Sequence, residues 1–151
     1  MHSDQTVDIL LIEDNREEAQ LTIRSFQKSN LTNGLLHLDD GEAALDFIFA
    51  RNMYASRTAG NLPKLILLDL KLPKIGGLEI LKIIKQDPLT RMIPVVVLTS
   101  SREEPDIKAC YELGVNSYIV KPVNFESFTK AVAELGMYWM FLNVPPVIRK
   151  E

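Results

Sequence analysis

The chain has 151 residues, of which 46% are hydrophobic and 25% charged, and its formal net charge is −3. This length predicts one domain with a self-sufficient core, and the composition excludes a disordered or low-complexity chain. The sequence shows no apolar stretch long enough to cross a membrane, no secretory signal and no basic block, so we expect neither a membrane nor a nucleic acid among its partners. Because Cys110 is the single cysteine, an internal disulfide and a cysteine-based zinc site are excluded, and we expect a cytoplasmic protein.

Five short apolar runs alternate with longer amphipathic segments along the chain. The runs span Val7 to Ile12, Gly34 to Leu38, Leu65 to Leu68, Val95 to Leu98 and Ser117 to Val120. Three of them are nearly continuous in Val, Ile and Leu, which is typical of strands buried on both faces of a parallel sheet. We predict that each run forms one strand.

Amphipathic segments with apolar residues at helical spacing follow the five runs, and several begin or end at residues that favour a helix terminus. The predicted helices begin at Asn15, after Asp40-Gly41, after Gly76-Gly77, between Ser101 and Pro105, and at about Asn124. The third stops before Pro88, the fourth ends at Gly114 and the fifth runs to Leu142. The segment from Arg51 to Leu62 is the longest that is predicted to be irregular.

The resulting βαβαβαβαβα order favours right-handed crossovers between parallel strands. For five strands, this predicts a doubly wound, flavodoxin-like α/β fold with strand order 2-1-3-4-5. The sequence shows no internal repeat, linker or second domain. We therefore predict one domain for residues 1–151, folded over about 7–142 and followed by a short C-terminal tail over 143–151.

Polar side chains stand at the carboxyl ends of four of the five predicted strands. Glu13 and Asp14 follow the first, Asp69 the third, Thr99 the fourth and Lys121 the fifth. In an open α/β sheet, ligands bind outside the carboxyl ends of the strands, near the point where the strand order reverses. Each residue alone has a plainer interpretation as a strand end, a helix cap, a Ser/Thr turn or a solvated lysine. Their joint placement predicts one shared crevice.

Three carboxylates in one crevice either raise one another's pKa values or require a cation. Lys121 supplies one positive charge against the three negative charges, and a hard divalent cation held by oxygen ligands fits the deficit, which indicates Mg²⁺. A phosphoryl group is then the expected ligand, with Thr99 and Lys121 available to its remaining oxygens. Asp69, the lone acid at the end of the central strand, is the best candidate to accept that group as an aspartyl phosphate. The sequence contains neither of the common nucleotide-binding glycine motifs.

The chain resembles the receiver domain of two-component response regulators, and the resemblance covers nearly its whole length. The matching motifs are Ile12-Glu13-Asp14-Asn15, Leu67-Leu68-Asp69, Leu98-Thr99-Ser100 and Tyr118-Ile119-Val120-Lys121-Pro122. The resemblance implies that Asp69 accepts a phosphoryl group from a phosphohistidine on a sensor histidine kinase. It also implies that Glu13, Asp14 and Asp69 hold Mg²⁺ together with the backbone carbonyl of Lys71.

The same resemblance implies roles for three further side chains. Thr99 would bind the phosphoryl group, Lys121 would pair with it, and Tyr118 would be the aromatic switch. The plainer interpretation of Tyr118 is a half-buried tyrosine on an edge strand. A protein of this kind is a phosphoacceptor in signalling rather than an enzyme with turnover.

Flanking sequence resembles one branch of that family, the cyanobacterial phytochrome response regulators. The matching stretches are Asp69-Leu70-Lys71-Leu72-Pro73, Ile93-Pro94-Val95-Val96-Val97-Leu98-Thr99-Ser100-Ser101 and Tyr138-Trp139. The insertion around Arg51 to Leu62 and the absence of an output domain also fit, and the implied partner is a phytochrome-type histidine kinase. The Gly76-Gly77 pair departs from the Asp-Gly turn that is common in receivers, which leaves the site intact and bears on the stiffness of that loop.

The last predicted helix combines an apolar seam with an end that is apolar all round. The seam consists of Phe125, Phe128, Val132, Leu135, Trp139 and Leu142. Residues Met137 to Leu142 leave no polar face, and such a surface usually needs a partner, so we predict a homodimer through this helix and the tail. The alternative is that Val144 to Ile148 folds back over the patch within one chain.

Two other functions stay open at this point. One is a Mg²⁺-dependent phosphatase with an Asp nucleophile; haloacid dehalogenase-like phosphatases carry a second Asp two residues after the nucleophile, where this chain has Lys71. The other is an interaction module that works without phosphorylation. The complete set of acids with Thr99 and Lys121 argues against the latter, because a module that never receives phosphate would usually lose one or more of them.

Overall fold

Five short strands form one parallel sheet at the centre of the fold. They are β1 (Ile9–Ile12), β2 (Leu35–Leu38), β3 (Leu65–Leu68), β4 (Val95–Thr99) and β5 (Ser117–Val120). The computed structural model describes residues 6–30, 34–57, 61–122 and 124–146, and in it the strand order is β2-β1-β3-β4-β5. The predicted doubly wound α/β fold and its strand order are confirmed. β1 and β2 begin one or two residues later than predicted, and β4 extends by one residue to Thr99.

Five helices cover the two faces of the sheet. They are α1 (Arg16–Lys28), α2 (Gly41–Ile48), α3 (Gly77–Gln86), α4 (Glu104–Glu112) and α5 (Phe125–Met137). Asn15, Asp40 and Asn124 act as N-caps, since each side chain accepts a hydrogen bond from the backbone N–H three residues later. Gly114 follows α4 with φ +97°, a conformation that favours glycine at a helix end. Among the described residues, no helix combines the length and apolar character needed to span a bilayer.

Side chains of each central strand alternate between two apolar layers. On β1, Leu10 and Ile12 pack in the layer under α2 and α3, whereas Ile9 and Leu11 pack in the layer under α1 and α5. Burial on both faces explains why this strand is apolar at every position instead of alternating. Helix α4 is the least anchored of the five, because Cys110 is its one buried residue.

The end of the last helix departs from the prediction. Helix α5 ends at Met137, and Tyr138–Leu142 continue as a wider π-helical turn closed by a 2.7 Å bond from Asn143 N–H to the Tyr138 carbonyl. The middle of the seam is buried as predicted, but Phe125 is 57% and Leu142 72% exposed. The reason is length: a helix of 13 residues spans about 20 Å, whereas a strand of four spans about 13 Å, so the helix overhangs the sheet at both ends.

The segment between α2 and β3 is more regular than predicted. It contains a short 3-10 helix, Asn52–Tyr54, and the Tyr54 ring packs edge-on against Phe47 with ring centroids 5.2 Å apart. The Arg57 guanidinium lies over the Phe47 ring and donates to the carbonyls of Phe47 and Asn61. These contacts fasten the insertion to α2. Residues 58–60 of the predicted loop lie outside the described residues.

The described part of the tail runs towards the amino edge of the sheet. Pro145 and Pro146 line a pocket with Pro63 and Pro94, which precede β3 and β4. Val144 is 87% exposed, so residues 144–146 do not cover the apolar end of the last helix. Residues 147–151 of the predicted tail, and with them part of the fold-back alternative, lie outside the described residues.

Candidate functional site

Strand register brings the predicted site residues to one edge of the sheet. Ile12 is paired with Leu68, so the residues that follow them, Glu13 and Asp69, come out side by side. Thr99, at the end of β4, is paired with Val120 of β5, and Lys121 donates its backbone N–H to the Thr99 carbonyl at 2.7 Å. The convergence of these side chains therefore follows from the order and register of the parallel strands.

An acidic cluster lies at the centre of this edge. One carboxylate oxygen from each of Glu13, Asp14 and Asp69 lies within 4.8 Å of the others. Glu13 and Asp69 are buried, and Asp14 is exposed. Carboxylate oxygens without nitrogen or sulfur donors are the ligands that hard divalent cations prefer. The donor set and its spacing therefore fit a divalent metal ion.

The Lys121 ammonium lies against this cluster and is shared by three carboxylates. Its Nζ is 2.6 Å from Glu13 Oε1, 2.9 Å from Asp69 Oδ2, and 3.1 and 3.2 Å from the two oxygens of Glu18. The Lys121 side chain is only 6% exposed, so these contacts are enclosed by protein. With Asp14 included, the site holds four carboxylates and one ammonium, and it carries excess negative charge.

Ionisation in the cluster follows from burial and from Lys121. Burial raises the pKa of Glu13 to about 7 against the opposing hydrogen bond from Lys121, and the charge of Asp69 adds to the rise. Burial acts in the same direction on Asp69, but the charge and hydrogen bond of Lys121, with help from Glu13 and Thr99, hold its pKa below the ordinary value. For Lys121, burial would lower the pKa, and the bonds and charges of Glu13 and Asp69 raise it instead. Of the two buried carboxylates, Asp69 is therefore the one that ionises more readily.

Three hydrogen bonds, one to Asn15 and two to residues of β2, fix the orientation of Glu13. The Asn15 backbone N–H donates to Glu13 Oε2 at 3.2 Å, and His37 Nε2 donates to the Glu13 carbonyl at 2.8 Å. The Glu13 N–H donates to the Leu38 carbonyl at 3.1 Å. His37 thus holds the backbone from which the acid pair projects.

A second network joins Thr99 to Tyr118. Thr99 is fully buried, and the Ser101 N–H approaches its hydroxyl oxygen at 3.4 Å. The Tyr118 hydroxyl donates to the Ser101 carbonyl at 3.0 Å, and the Ser101 hydroxyl donates to Asp106 on α4 at 2.6 Å. Tyr118 is half-buried, as its plainer interpretation predicted. Ser101 joins the strand-end residue, the tyrosine and α4, yet in sequence it is indistinguishable from an ordinary turn residue.

The loop after β3 is held close to Asp69. The Lys71 backbone N–H approaches Asp69 Oδ1 at 3.4 Å, and the Gly77 N–H donates to the Leu70 carbonyl at 2.9 Å. A Cβ on Gly77 would lie 2.4 Å from the Asp69 carbonyl oxygen, so only glycine permits this approach of α3. A Cβ on Gly76 would meet no atom closer than 4.0 Å. Of the unusual glycine pair, only the second position requires glycine on steric grounds.

Glu18 is the site residue that sequence reasoning missed. An acid in the first turn of a helix is ordinary, because it interacts favourably with the helix dipole. Glu18 lies four residues after Asp14, but Asp14 precedes the N-cap of α1, so this spacing does not place the two acids on one helix face. That spacing alone does not reveal contact with a lysine 103 residues away.

Comparison with known proteins gives consistent matches along the chain. A family model described as "Response regulator receiver domain" matches residues 9–133. The response regulator Rcp1 of Synechocystis is 41% identical over 132 residues, covering 87% of this chain and 88% of Rcp1. FilR2 of Methanothrix harundinacea, described as a "Probable methanogenesis regulatory protein", is also 41% identical, over 138 residues that cover 91% of this chain and 86% of FilR2.

Solved structures agree with these sequence matches. The Mn²⁺-bound form of Rcp1 superposes with a TM-score of 0.86 at 40% identity, covering 92% of this chain and 98% of that one. The phosphorylated cyanobacterial phytochrome response regulator RcpA gives the same TM-score at 36% identity, covering 92% and 97%. In both comparisons the likeness extends over 92% of this chain.

Proposed function

Because this chain belongs to the response regulator receiver domain family, close to the cyanobacterial phytochrome response regulators Rcp1 and RcpA, we propose that it is a phosphoacceptor signalling protein. Asp69 receives a phosphoryl group from a histidine kinase in a Mg²⁺-dependent reaction, and the modified protein changes its affinity for partners. The comparisons with known proteins confirm the family and the branch that the motifs indicated. We propose further that residues of about 7–142 act as the receiver and that residues 143–151 follow it as a tail.

The contact that carries the proposal is the 2.9 Å ion pair between Lys121 Nζ and Asp69 Oδ2 inside the acidic cluster. It keeps Asp69 ionised, because Lys121 holds the pKa of Asp69 down. In the proposed step an oxygen of Asp69 attacks the phosphorus atom, and the P–N bond to the donor histidine breaks. The bonding electron pair returns to the imidazole nitrogen. Lys121 then pairs with the new phosphoryl oxygens.

We assign Mg²⁺ as the resident cation. Glu13, Asp14 and Asp69 would hold it, with the backbone carbonyl of Lys71 as a further oxygen ligand. The three carboxylates within 4.8 Å of one another support this assignment, and the Rcp1 structure contains Mn²⁺, a cation of similar ligand preference. When bound, the cation supplies positive charge that offsets the carboxylates and the transferring group.

Thr99 and Tyr118 are proposed as the switch. Thr99 would bind the phosphoryl group, and the Ser101 carbonyl that now accepts from Tyr118 lies two residues further along the same chain. A shift of Thr99 would therefore move the acceptor of the Tyr118 hydroxyl and, through the Ser101–Asp106 bond, the first turn of α4. With only one buried residue, α4 offers little resistance to such a shift.

The proposed phosphodonor is a phytochrome-type histidine kinase in the cytoplasm. The supporting observation is the close match to RcpA, whose description names it a phytochrome response regulator. Transfer rates from autophosphorylated kinases measure this directly. We expect a phytochrome-type kinase to label the protein at least about tenfold faster than an unrelated histidine kinase, which corresponds to about 1.4 kcal/mol of discrimination. Equal rates would contradict this partner assignment.

We also propose a homodimer through the apolar end of the last helix. Tyr138, Phe141 and Leu142 are 48%, 62% and 72% exposed, and the described part of the tail leaves them open. A second copy would bury this surface. Sedimentation velocity at micromolar concentration should detect a dimer that Phe141→Glu disrupts and that Met53→Glu, at an exposed apolar position outside the last helix, preserves. A monomer in both phosphorylation states would end the dimer proposal.

Intact mass spectrometry tests the proposed function. After incubation with Mg²⁺ and a small acyl phosphate, the wild type should gain one phosphoryl group, and a chelator should prevent the gain. Asp69→Asn, which keeps the shape but removes the charge, should gain none. Lys121→Ala should still bind Mg²⁺ but accept phosphate poorly. Equal labelling of the wild type and Asp69→Asn would remove Asp69 from the reaction.

A further inference from the structure

Glu18 contacts the same ammonium as two of the candidate metal ligands. We propose that Glu18 takes over the Lys121 ammonium when a divalent cation occupies the acidic cluster, and so favours cation binding without being a ligand itself. This inference rests on the proposed function in one respect only, namely that the cluster binds a cation. It adds a residue of α1 to the cation-binding machinery.

The ammonium and a divalent cation make competing demands on the same carboxylates. Lys121 Nζ lies 2.6 Å from Glu13 and 2.9 Å from Asp69, and both acids belong to the three-carboxylate cluster. Two positive charges held on shared carboxylates repel one another strongly in an enclosed site. The ammonium must therefore give up part of its present contacts when the cation enters. Leaving it enclosed without a carboxylate would be costly.

Glu18 is placed to receive it. Both carboxylate oxygens of Glu18 already lie 3.1 and 3.2 Å from Nζ, so the ammonium needs no new partner. Glu18 is not one of the three acids whose oxygens lie within 4.8 Å of one another. Its side chain is 30% exposed, against 5% for Glu13 and 10% for Asp69. It is therefore the outermost partner of the ammonium, on the solvent side.

Space for the movement exists beside both side chains. A pocket of about 350 Å³ is lined by Glu18 and Lys121 together with Leu21, Pro122 and Phe125, among others. Its walls are mainly apolar, which suits the methylene stem of a lysine whose charged end stays with a carboxylate. A displacement of the ammonium towards Glu18 would thus need no rearrangement of the backbone.

The backbone of Glu18 is held in place on both sides. Its N–H donates to the Asn15 side chain at 3.0 Å, and its carbonyl accepts from the Thr22 hydroxyl at 3.0 Å. Glu17 is the matched control, since it lies in the same first turn and carries the same charge. Within the part of the chain that the structure describes, Glu17 forms no ion pair.

Calorimetric titration of the unphosphorylated protein with Mg²⁺ tests the inference. Glu17→Gln measures the general effect of losing one negative charge, which we expect to weaken binding less than about twofold. Glu18→Gln should weaken it about fivefold or more, because the displaced ammonium then lacks a carboxylate. Equal losses in the two variants would overturn the role of Glu18. If the wild type binds no cation, both this inference and the proposed function fail.

A double-mutant cycle separates the proposed role from direct attraction between Glu18 and the cation. In a Lys121→Met background, Glu18 has no ammonium to receive, so Glu18→Gln should cost no more than Glu17→Gln. An undiminished loss in that background would overturn the inference. A second measurement uses the native lysine: amine methylation of Lys121, followed by peptide mass spectrometry in saturating Mg²⁺, should be slow in the wild type and faster in Glu18→Gln. Unchanged reactivity would contradict the proposal.

Discussion

The two ends of the sheet each hold a lysine with several hydrogen-bond partners, Lys121 buried and Lys85 half-buried. The partners of the two lysines differ in kind. At the carboxyl end, Lys121 is shared by three carboxylates, and its pKa is raised. At the amino end, Lys85 Nζ donates to the carbonyls of Arg91 and Ile93 and to the Asn116 side chain, at 2.9 to 3.3 Å. Burial, with no carboxylate to oppose it, lowers the pKa of Lys85.

The difference separates a structural site from a binding site. Neutral oxygens satisfy Lys85 without adding charge, so the amino end is complete as it stands. The carboxyl end keeps excess negative charge, which costs stability until a cation binds. The variants below test whether the two ends differ in this way, in order from the largest expected effect to the smallest.

Removing the ammonium at the carboxyl end should have the largest effect. In Lys121→Met, the buried carboxylates of Glu13 and Asp69 lose their shared partner, so we expect a loss of about 3 kcal/mol in the free energy of unfolding at pH 8 with a chelator present. Urea denaturation measures the change. Millimolar Mg²⁺ should restore part of the loss, whereas an unchanged urea midpoint would show that the carboxylates do not need Lys121.

The pH dependence of stability should reveal Glu13. Because burial raises its pKa from 4.5 to about 7, the folded state binds more protons than the unfolded state between these values, and stability falls as the pH rises through that window. The contribution cannot exceed about 1.4 kcal/mol per pH unit. Urea midpoints of metal-free protein between pH 5 and 7 should fall less steeply in Glu13→Gln than in the wild type. Parallel curves would contradict the assignment.

Disrupting the amino end should cost stability without affecting function. Lys85→Met removes hydrogen bonds to two carbonyls and to Asn116, which we expect to cost about 1 to 2 kcal/mol whether or not a cation is present. Mg²⁺ affinity and labelling of Asp69 should match the wild type. A loss that Mg²⁺ reverses would mean that the two ends are coupled.

Relieving charge at the carboxyl end should have the smallest effect. Asp14 is exposed, so Asp14→Asn should raise the thermal midpoint of metal-free protein by only about 2 °C while weakening Mg²⁺ binding. Glu17→Gln, which removes a charge outside the cluster, should leave both quantities near their wild-type values. A lower midpoint in Asp14→Asn would show that the acidic cluster carries no electrostatic strain.

The meeting of Glu13, Asp14, Asp69 and Lys121 could be predicted because it depends on the backbone alone. Parallel strands in the order 2-1-3-4-5 bring their carboxyl ends to one edge, and a polar residue directly after a strand has little choice of position. The continuous apolar runs indicated a buried parallel sheet, and the alternation of strands with helices indicated the strand order. Because these runs stand out in the sequence, the observed strand bounds differ from the predicted ones by no more than two residues.

The contacts of Glu18, His37 and Ser101 could not be predicted in the same way. Glu18 lies inside α1, His37 lies inside β2, and Ser101 lies two residues after β4. At such positions the direction and packing of the side chain decide which groups it contacts. The exposure of Phe125 and Leu142, at the two ends of the apolar seam, could not be predicted for a related reason. The spacing of apolar residues predicts a seam, but spacing does not show that the helix is longer than the sheet it covers.

Location of the phosphoryl group on the chain tests the central claim most directly. Borohydride reduces an aspartyl phosphate to homoserine with release of phosphate, and the reduced residue can be located by tandem mass spectrometry after digestion. After treatment with acyl phosphate and Mg²⁺, the account predicts a single homoserine at position 69. Reduction at Glu13 or Asp14 instead, or at no acid of the cluster in protein that binds Mg²⁺, would contradict it.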